Sequence, residues 1–204
     1  MSRPPSGFEP VDHTADAGLR GWGRDASELF AAMAAGLFDI IAGAASVRPR
    51  ERREVVLRAD SLAELLHDWL EALNTLHQVR GELYSRFHPR VQETGGIEDP
   101  TALTALVEGE AMDPGRHELR VEVKAVTWHE LSVRRTPDGY EAYVLFDIWP
   151  GGQEDGDPHP AGRTGALGGG SPPRRAGPRA LRRFCGVAPP DSRRRGLAAP
   201  APEH

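Results

Sequence analysis

The sequence predicts an α+β domain of two layers, with two helices packed on one face of a largely antiparallel sheet. Three observations lead there. Two stretches open on a capping signal and continue with apolar residues at helical spacing. The other patterned stretches alternate apolar and polar residues, or are apolar throughout, and turn residues separate them. The order along the chain is strand, helix, strand, helix, then a run of strands.

The first strand is read at Gly18 with Leu19-Arg20-Gly21-Trp22, where Leu19 and Gly21 share one face. Asp12-His13-Thr14-Ala15-Asp16 stands where a loop enters that strand. Asp25 and Glu28 form a D-x-x-E capping box, and Leu29, Phe30, Met33, Leu37, Phe38 and Ile41 follow on one helical stripe until Gly43. Residues 53–58 read as a strand. Ser61 and Glu64 open a second helix carrying Leu62, Leu65, Leu66, Trp69, Leu70, Leu73 and Leu76, which Gly81 ends. His67 and His77 on or near this helix read as surface or edge histidines rather than ligands. Residues 83–91 read as a strand that Pro89 places at an edge or bulge. Residues 102–110, 119–125 and 131–135 read as further strands, the second with Leu119, Val121 and Val123 on one face. Pro137-Asp138-Gly139 turns into a last strand over residues 140–148. That strand is nearly all apolar, as expected of one that is central or covered on both faces, and Asp147 is its odd residue.

Composition divides the chain. From Trp149 onward, 11 Gly and 10 Pro occupy 56 residues, with Gly168-Gly169-Gly170, paired prolines and Arg clusters. A folded domain over residues 1–148 and a disordered tail over 149–204 are expected. The tail reads as a dispensable extension of a GC-biased or shifted reading frame in preference to a weak binder of RNA or acidic partners. Nine Arg against five Asp or Glu give it +4, so the overall −5 leaves −9 for the body. An acidic body argues against a nucleic-acid-binding surface, which needs clustered Lys and Arg, and suits a metal or a basic patch on a partner. A single cysteine, Cys185, excludes an intrachain disulfide, and no apolar run reaches membrane-spanning length. A cytoplasmic location follows. Lys124 is the only lysine. Either chance left it, or the position needs a compact ammonium that arginine's planar fork does not mimic.

Three groups place charged side chains among apolar neighbours: residues 12–16, Glu122-Val123-Lys124-Ala125-Val126-Thr127-Trp128-His129, and Phe146-Asp147-Ile148. Buried charge is costly unless paired or metal-bound, so these groups are expected to meet. Carboxylates and carbonyls favour Ca²⁺, Mg²⁺ or Mn²⁺ over zinc. No H-E-x-x-H, C-x-x-C, Walker A, G-x-G-x-x-G or serine-nucleophile motif is present. The residues alone leave two readings open. One is an acidic cation site built on Asp16 and Asp147; the other is an Asp-to-Lys124 ion pair with loop capping by Asp12 and Thr14.

The D-H-T-A-D opening at 12–16, the acidic-capped helix after G-W-G at 21–23, V-K-A-V-T-W-H at 123–129 and F-D-I at 146–148 together resemble the archease family. The resemblance covers roughly residues 7–148. It implies a small α+β protein with a strand–helix–strand–strand core. It also implies a protein cofactor, not itself a ligase, of the RtcB-type RNA ligase that joins RNA ends in tRNA splicing and repair. The cofactor promotes the ligase's guanylylation from GTP and its multiple turnover. The family's divalent-cation site, described with calcium, maps onto Asp16, Asp147 and Ile148, with Asp12 in support. Glu122 and a basic residue six positions before it also matter in the family. That residue, usually a lysine before histidine, is here Arg116 before His117. His13, Lys124 and His129 complete the expected partner-contact set. The family normally ends at the isoleucine matching Ile148, whose terminal carboxylate helps to ligate the cation. Here Trp149 follows, Ile148 offers a peptide carbonyl, and weaker metal binding or a rearranged site is expected. Outside the resemblance, a metal-dependent phosphoester hydrolase and a chaperone-like or oligomerising module with a structural acidic site remain as alternatives.

Overall fold

The computed structural model describes residues 4–12, 16–43, 46–94 and 99–149, and of Asp12 the backbone only. The expected tail therefore lies outside the described residues, apart from Trp149. Ten elements occur in the order β1 (Gly7–Asp12), β2 (Asp16–Gly23), α1 (Ala26–Ala42), β3 (Glu51–Ala59), α2 (Leu62–Arg80), β4 (Glu82–Glu93), β5 (Thr101–Ala111), β6 (Glu122–Val126), β7 (Ser132–Thr136) and β8 (Gly139–Trp149). The α+β class and the two core helices hold.

Both helix starts follow their capping signals. Asp25 Oδ1 accepts from the Glu28 amide at 2.8 Å, and Ser61 Oγ accepts from the Glu64 amide at 3.2 Å. The glutamates reach back one residue beyond the cap, accepting from the Arg24 and Asp60 amides, both at 2.9 Å. Gly43 and Gly81 end the helices in the left-handed region, φ 65° and 63°. There a side chain would be strained. Both apolar stripes are buried: Phe30, Met33, Leu37 and Ile41 of α1, and Leu65, Leu66, Trp69, Leu70 and Leu73 of α2. Trp69 Nε1 donates to the Phe30 carbonyl at 3.1 Å, which satisfies the only polar atom of the largest core side chain.

The structure contains two antiparallel sheets where the sequence suggested one. The first has the order β1-β2-β8-β6, with β7 also on β8; the second is β3-β5-β4. Helix α1 lies against β2 of one and β4 of the other, so the two sheets share its core face. The first sheet stops at β6 because α2 occupies that edge with a polar stripe. Val123 O accepts from Asn74 Nδ2 at 3.2 Å and Gln78 Nε2 at 2.6 Å. The Val126 amide donates to Glu71 at 3.1 Å, and His67 Nε2 donates to Val126 O at 3.1 Å. A strand edge whose polar groups are already bonded cannot recruit another strand. His77 Nδ1 likewise donates to the Glu82 carbonyl at 3.0 Å. Both histidines, expected at the surface or an edge, are part-buried and bonded to backbone carbonyls.

Besides shifts of one or two residues at strand ends, two strands depart from the sequence reading. Residues 7–12 form β1, which Pro10 and Glu9 disguised. They pair with β2 from Gly7 opposite Trp22 to Asp12 opposite Ala17. Residues 119–121 lie outside any strand, because the Arg120 and Val121 amides donate to Ile41 O at the end of α1, at 2.8 and 3.5 Å. Leu119 is consequently exposed. Strand β8 has neighbours along both edges, and Val144, Leu145 and Phe146 are buried, as its apolar run required.

Candidate functional site

Strands β2 and β8 pair so that Asp16 stands opposite Asp147. Side chains of opposed residues leave the sheet on the same face with Cβ atoms about 4.5–5.5 Å apart. Alternation along β8 decides which face. Val144 and Phe146 point to the core and are 0 % exposed, so Asp147 points outward; its side chain is 49 % exposed. The two acids, separated by more than half the chain, are thus neighbours on the outer face at one end of the first sheet.

Strand β6 supplies the third group. Val123 pairs with Ile148 and Ala125 with Asp147, so Lys124 is the extra residue of a β-bulge. Its ammonium lies 3.3 Å from Asp147 Oδ1 and 4.0 Å from the centre of the Trp149 ring. The Asp-to-Lys124 ion pair that the sequence left open is therefore present. Glu122 pairs with Trp149 and is exposed at the same end. Ile148 is half-buried against the core, its backbone beside Asp147. Ca²⁺ or Mg²⁺ takes oxygen ligands. Two facing carboxylates and a nearby peptide carbonyl match that chemistry, although no cluster of three or more His, Cys, Asp or Glu is present among the described residues. Asp12 ends β1 opposite Ala17, one pair from Asp16. His13 lies outside the described residues.

The remaining expected contacts, Arg116 and His129, have other partners. Arg116 presents a fork to Glu110, at 2.9 and 2.8 Å, and also bonds the Ser46 carbonyl at 3.3 Å. None of these partners belongs to β2, β6 or β8. Hydrogen bonding from Arg116 is the largest influence holding the Glu110 carboxyl down at about 2, with the Arg48 amide and the charge of Arg50 adding to it. His117, fully buried, accepts from the Asp113 amide through Nδ1 at 3.0 Å. Its Nε2 sits 3.3 Å from Glu110 Oε1 without an aligned hydrogen bond. His129 is 75 % exposed beside Glu130, at 3.8 Å. Its neighbour Trp128 stacks on His67 with ring centres 4.0 Å apart. Sequence reading missed Arg120, which lines a cleft of about 300 Å³ with Asp16, Val11, Asp39 and Ile40. Its guanidinium donates to the Asp39 carbonyl at 3.4 Å. Alternation had placed it on a strand, and only the tertiary bond to α1 reveals it. It also missed Tyr143, whose hydroxyl burial pushes up in pKa, with the charges of Glu130 and Asp16 adding to the rise.

Comparison with known proteins agrees with this architecture. The sequence model of the Archease protein family matches residues 8–148. The protein archease of Pyrococcus abyssi is 38 % identical over 142 residues, 69 % of this chain and 98 % of that protein. That of Methanopyrus kandleri is 36 % identical over 141 residues, 69 % of this chain and 99 % of the relative. The solution structure of Methanobacterium thermoautotrophicum protein 1598 superposes with a TM-score of 0.61 at 35 % identity, over 69 % of this chain and 98 % of that one.

Proposed function

The chain belongs to the archease family, and from that premise we propose that it is a non-enzymatic accessory protein of an RtcB-type RNA ligase. In this reading it promotes the ligase's guanylylation and multiple turnover in tRNA splicing and RNA repair, within the cytoplasm. No helix among the described residues is long and apolar enough to cross a membrane. The observation that carries the proposal is the register of β2 and β8, which sets two half-chain-distant carboxylates side by side on an exposed sheet end.

That end would hold a divalent cation, with calcium the first choice and magnesium or manganese the others. Asp16 and Asp147 would bind through carboxylate oxygens and Ile148 through its peptide oxygen. Calcium takes six to eight oxygens, so these residues would supply part of the shell. The cation would bring positive charge to an otherwise acidic tip. Asp16, Asp147 and Glu122 would form the acidic edge that docks near the ligase's nucleotide and metal site. No sequence-specific contact with nucleic acid is part of the reading, because the body carries net charge −9.

Guanylylation of a purified ligase by GTP, timed with and without this chain, tests the proposal. A faster approach to the modified ligase supports it, and equal rates reject it. Turnover of a phosphodiester that disappears in Asp16→Ala would instead favour a hydrolase.

A further inference from the structure

We infer that Lys124 is a resident cation of the acid pair, pinned by Trp149, and that a divalent cation binds only by displacing its ammonium. The inference rests on the cation reading above and adds the regulation of that site.

Three independent features place the ammonium there. The bulge takes Lys124 out of the β6–β8 ladder, between the residues facing Ile148 and Asp147. A bulge re-aims the side chain it carries. The ammonium is then held from two sides, by Asp147 Oδ1 at 3.3 Å and by the Trp149 ring at 4.0 Å. Asp147 and Trp149 are two residues apart on β8, so they share the outer face, and Asp16 stands opposite Asp147 on that same face.

The holding groups are of the kind that release. Asp147 is about half exposed and Trp149 is 55 % exposed. Neither an exposed ion pair nor an exposed cation–π contact is strong. Lysine is a compact charge on a flexible stem, so it can withdraw while the strands stay in register. It is also the only lysine in a chain with 24 arginines among its 25 basic residues. With the ammonium in place, the acid pair carries one net negative charge instead of two. An incoming divalent cation must overcome both the competition for Asp147 and the repulsion of a neighbouring positive charge.

Calorimetric titration of the full chain with calcium chloride tests this, alongside Lys124→Met, Trp149→Ala and the double variant. Lys124→Met keeps the length of the stem and removes the charge. It should bind calcium about tenfold more tightly, and Trp149→Ala about threefold more tightly, given the usual sizes of such contacts. In the Lys124→Met background, Trp149→Ala should add nothing, because the ring acts through the ammonium. Isotopically labelled dimethylation of the sole lysine, which retains the charge, gives a second readout. Its resonance should show the indole ring current in the free protein and lose it when calcium is added. Calcium binding by the parent chain with no gain in Lys124→Met overturns the competition and leaves the cation reading intact. A Trp149→Ala gain that persists without the lysine overturns the role of the ring. Absence of calcium binding from all four proteins, each checked for an unchanged thermal transition, overturns the cation reading and this inference with it.

Discussion

The carboxylates of the second sheet and those at the end of the first are treated in opposite ways. Glu110 on β5 is 4 % exposed and meets the Arg116 fork, the Arg48 amide and Arg50. Glu108, 6 % exposed, lies among Arg52, Arg86 and His88, at 2.7, 3.9 and 3.8 Å. Glu82 is bonded by Arg53 and by the Tyr84 hydroxyl, whose pKa burial and the Glu82 hydrogen bond push up. At the end of the first sheet, two acids face each other across the β2–β8 pair, and the Lys124 ammonium reaches Asp147. Charge enclosed by matched donors holds strands together, and breaking such a pair leaves an uncompensated charge. Charge left incompletely neutralised at an exposed edge adds little to the fold and remains free to act on a ligand. Three substitutions and a truncation sharpen or break this contrast.

Gly109→Ala should do the most damage. A Cβ at Gly109 would stand 1.9 Å from the Leu83 carbonyl oxygen, where β4 and β5 close around the bulge between Tyr84 and Arg86. The clash is with backbone, so the ladder itself must move. A loss of more than about 3 kcal/mol in denaturant unfolding is expected, in the range of severe strain. A loss below about 1 kcal/mol would show that the second sheet is looser than its packing implies.

Glu110→Gln should follow, as a clear drop in the thermal midpoint at neutral pH. Arg116 keeps the Glu110 carboxyl at about 2 against its ordinary 4.5. A folded-state value below the unfolded one contributes stability that is complete above pH 4.5 and is lost as pH falls toward 2. The midpoint of the parent chain should therefore decline over that window, and that of Glu110→Gln should decline less. Parallel curves would remove Glu110 from the acid response.

Asp147→Asn should barely touch the fold. The side chain is half exposed and paired with one lysine, so the stability change should lie within about 1 kcal/mol. Calcium binding should nonetheless weaken at least about tenfold, because a charged ligand is lost. A collapse of the thermal midpoint would instead make the acid pair structural. The smallest effect is expected from truncation after Ile148. It frees a terminal carboxylate beside Asp147 and removes the Trp149 ring. Calcium should bind more tightly, with the unfolding transition unchanged within about 0.5 kcal/mol.

The sequence disclosed much of this contrast, unevenly. Helix limits were legible because their signals are local: Asp25 and Ser61 cap within three residues, and Gly43 and Gly81 terminate by their own backbone angles. Asp147 was legible as a charge in an apolar strand, and that burial pattern placed β8 at the centre. Register was not legible. That Asp16 and Asp147 meet was legible as charge among apolar neighbours, but the register that opposes them, the bulge at Lys124 and the division into two sheets depend on which strand edges meet. That choice is made by long-range groups such as Glu71, Asn74 and Gln78 on α2. In the sequence these look like an ordinary polar helix face, and in the structure they seal β6. Arg116 is marked only by the family resemblance, and in the structure its side chain bonds Glu110 and Ser46, outside β2, β6 and β8. A residue six positions before Glu122 carries no sign of the direction in which the intervening loop takes it.

The decisive measurement is the rate of ligase guanylylation with no addition, with the parent chain, and with the Asp16→Asn/Asp147→Asn double variant, in calcium-containing buffer. The double variant should keep the thermal midpoint of the parent within a few degrees, as exposed-charge substitutions do, and give no more acceleration than the ligase alone. If it accelerates guanylylation as the parent does, the two facing acids are not the working part of the molecule.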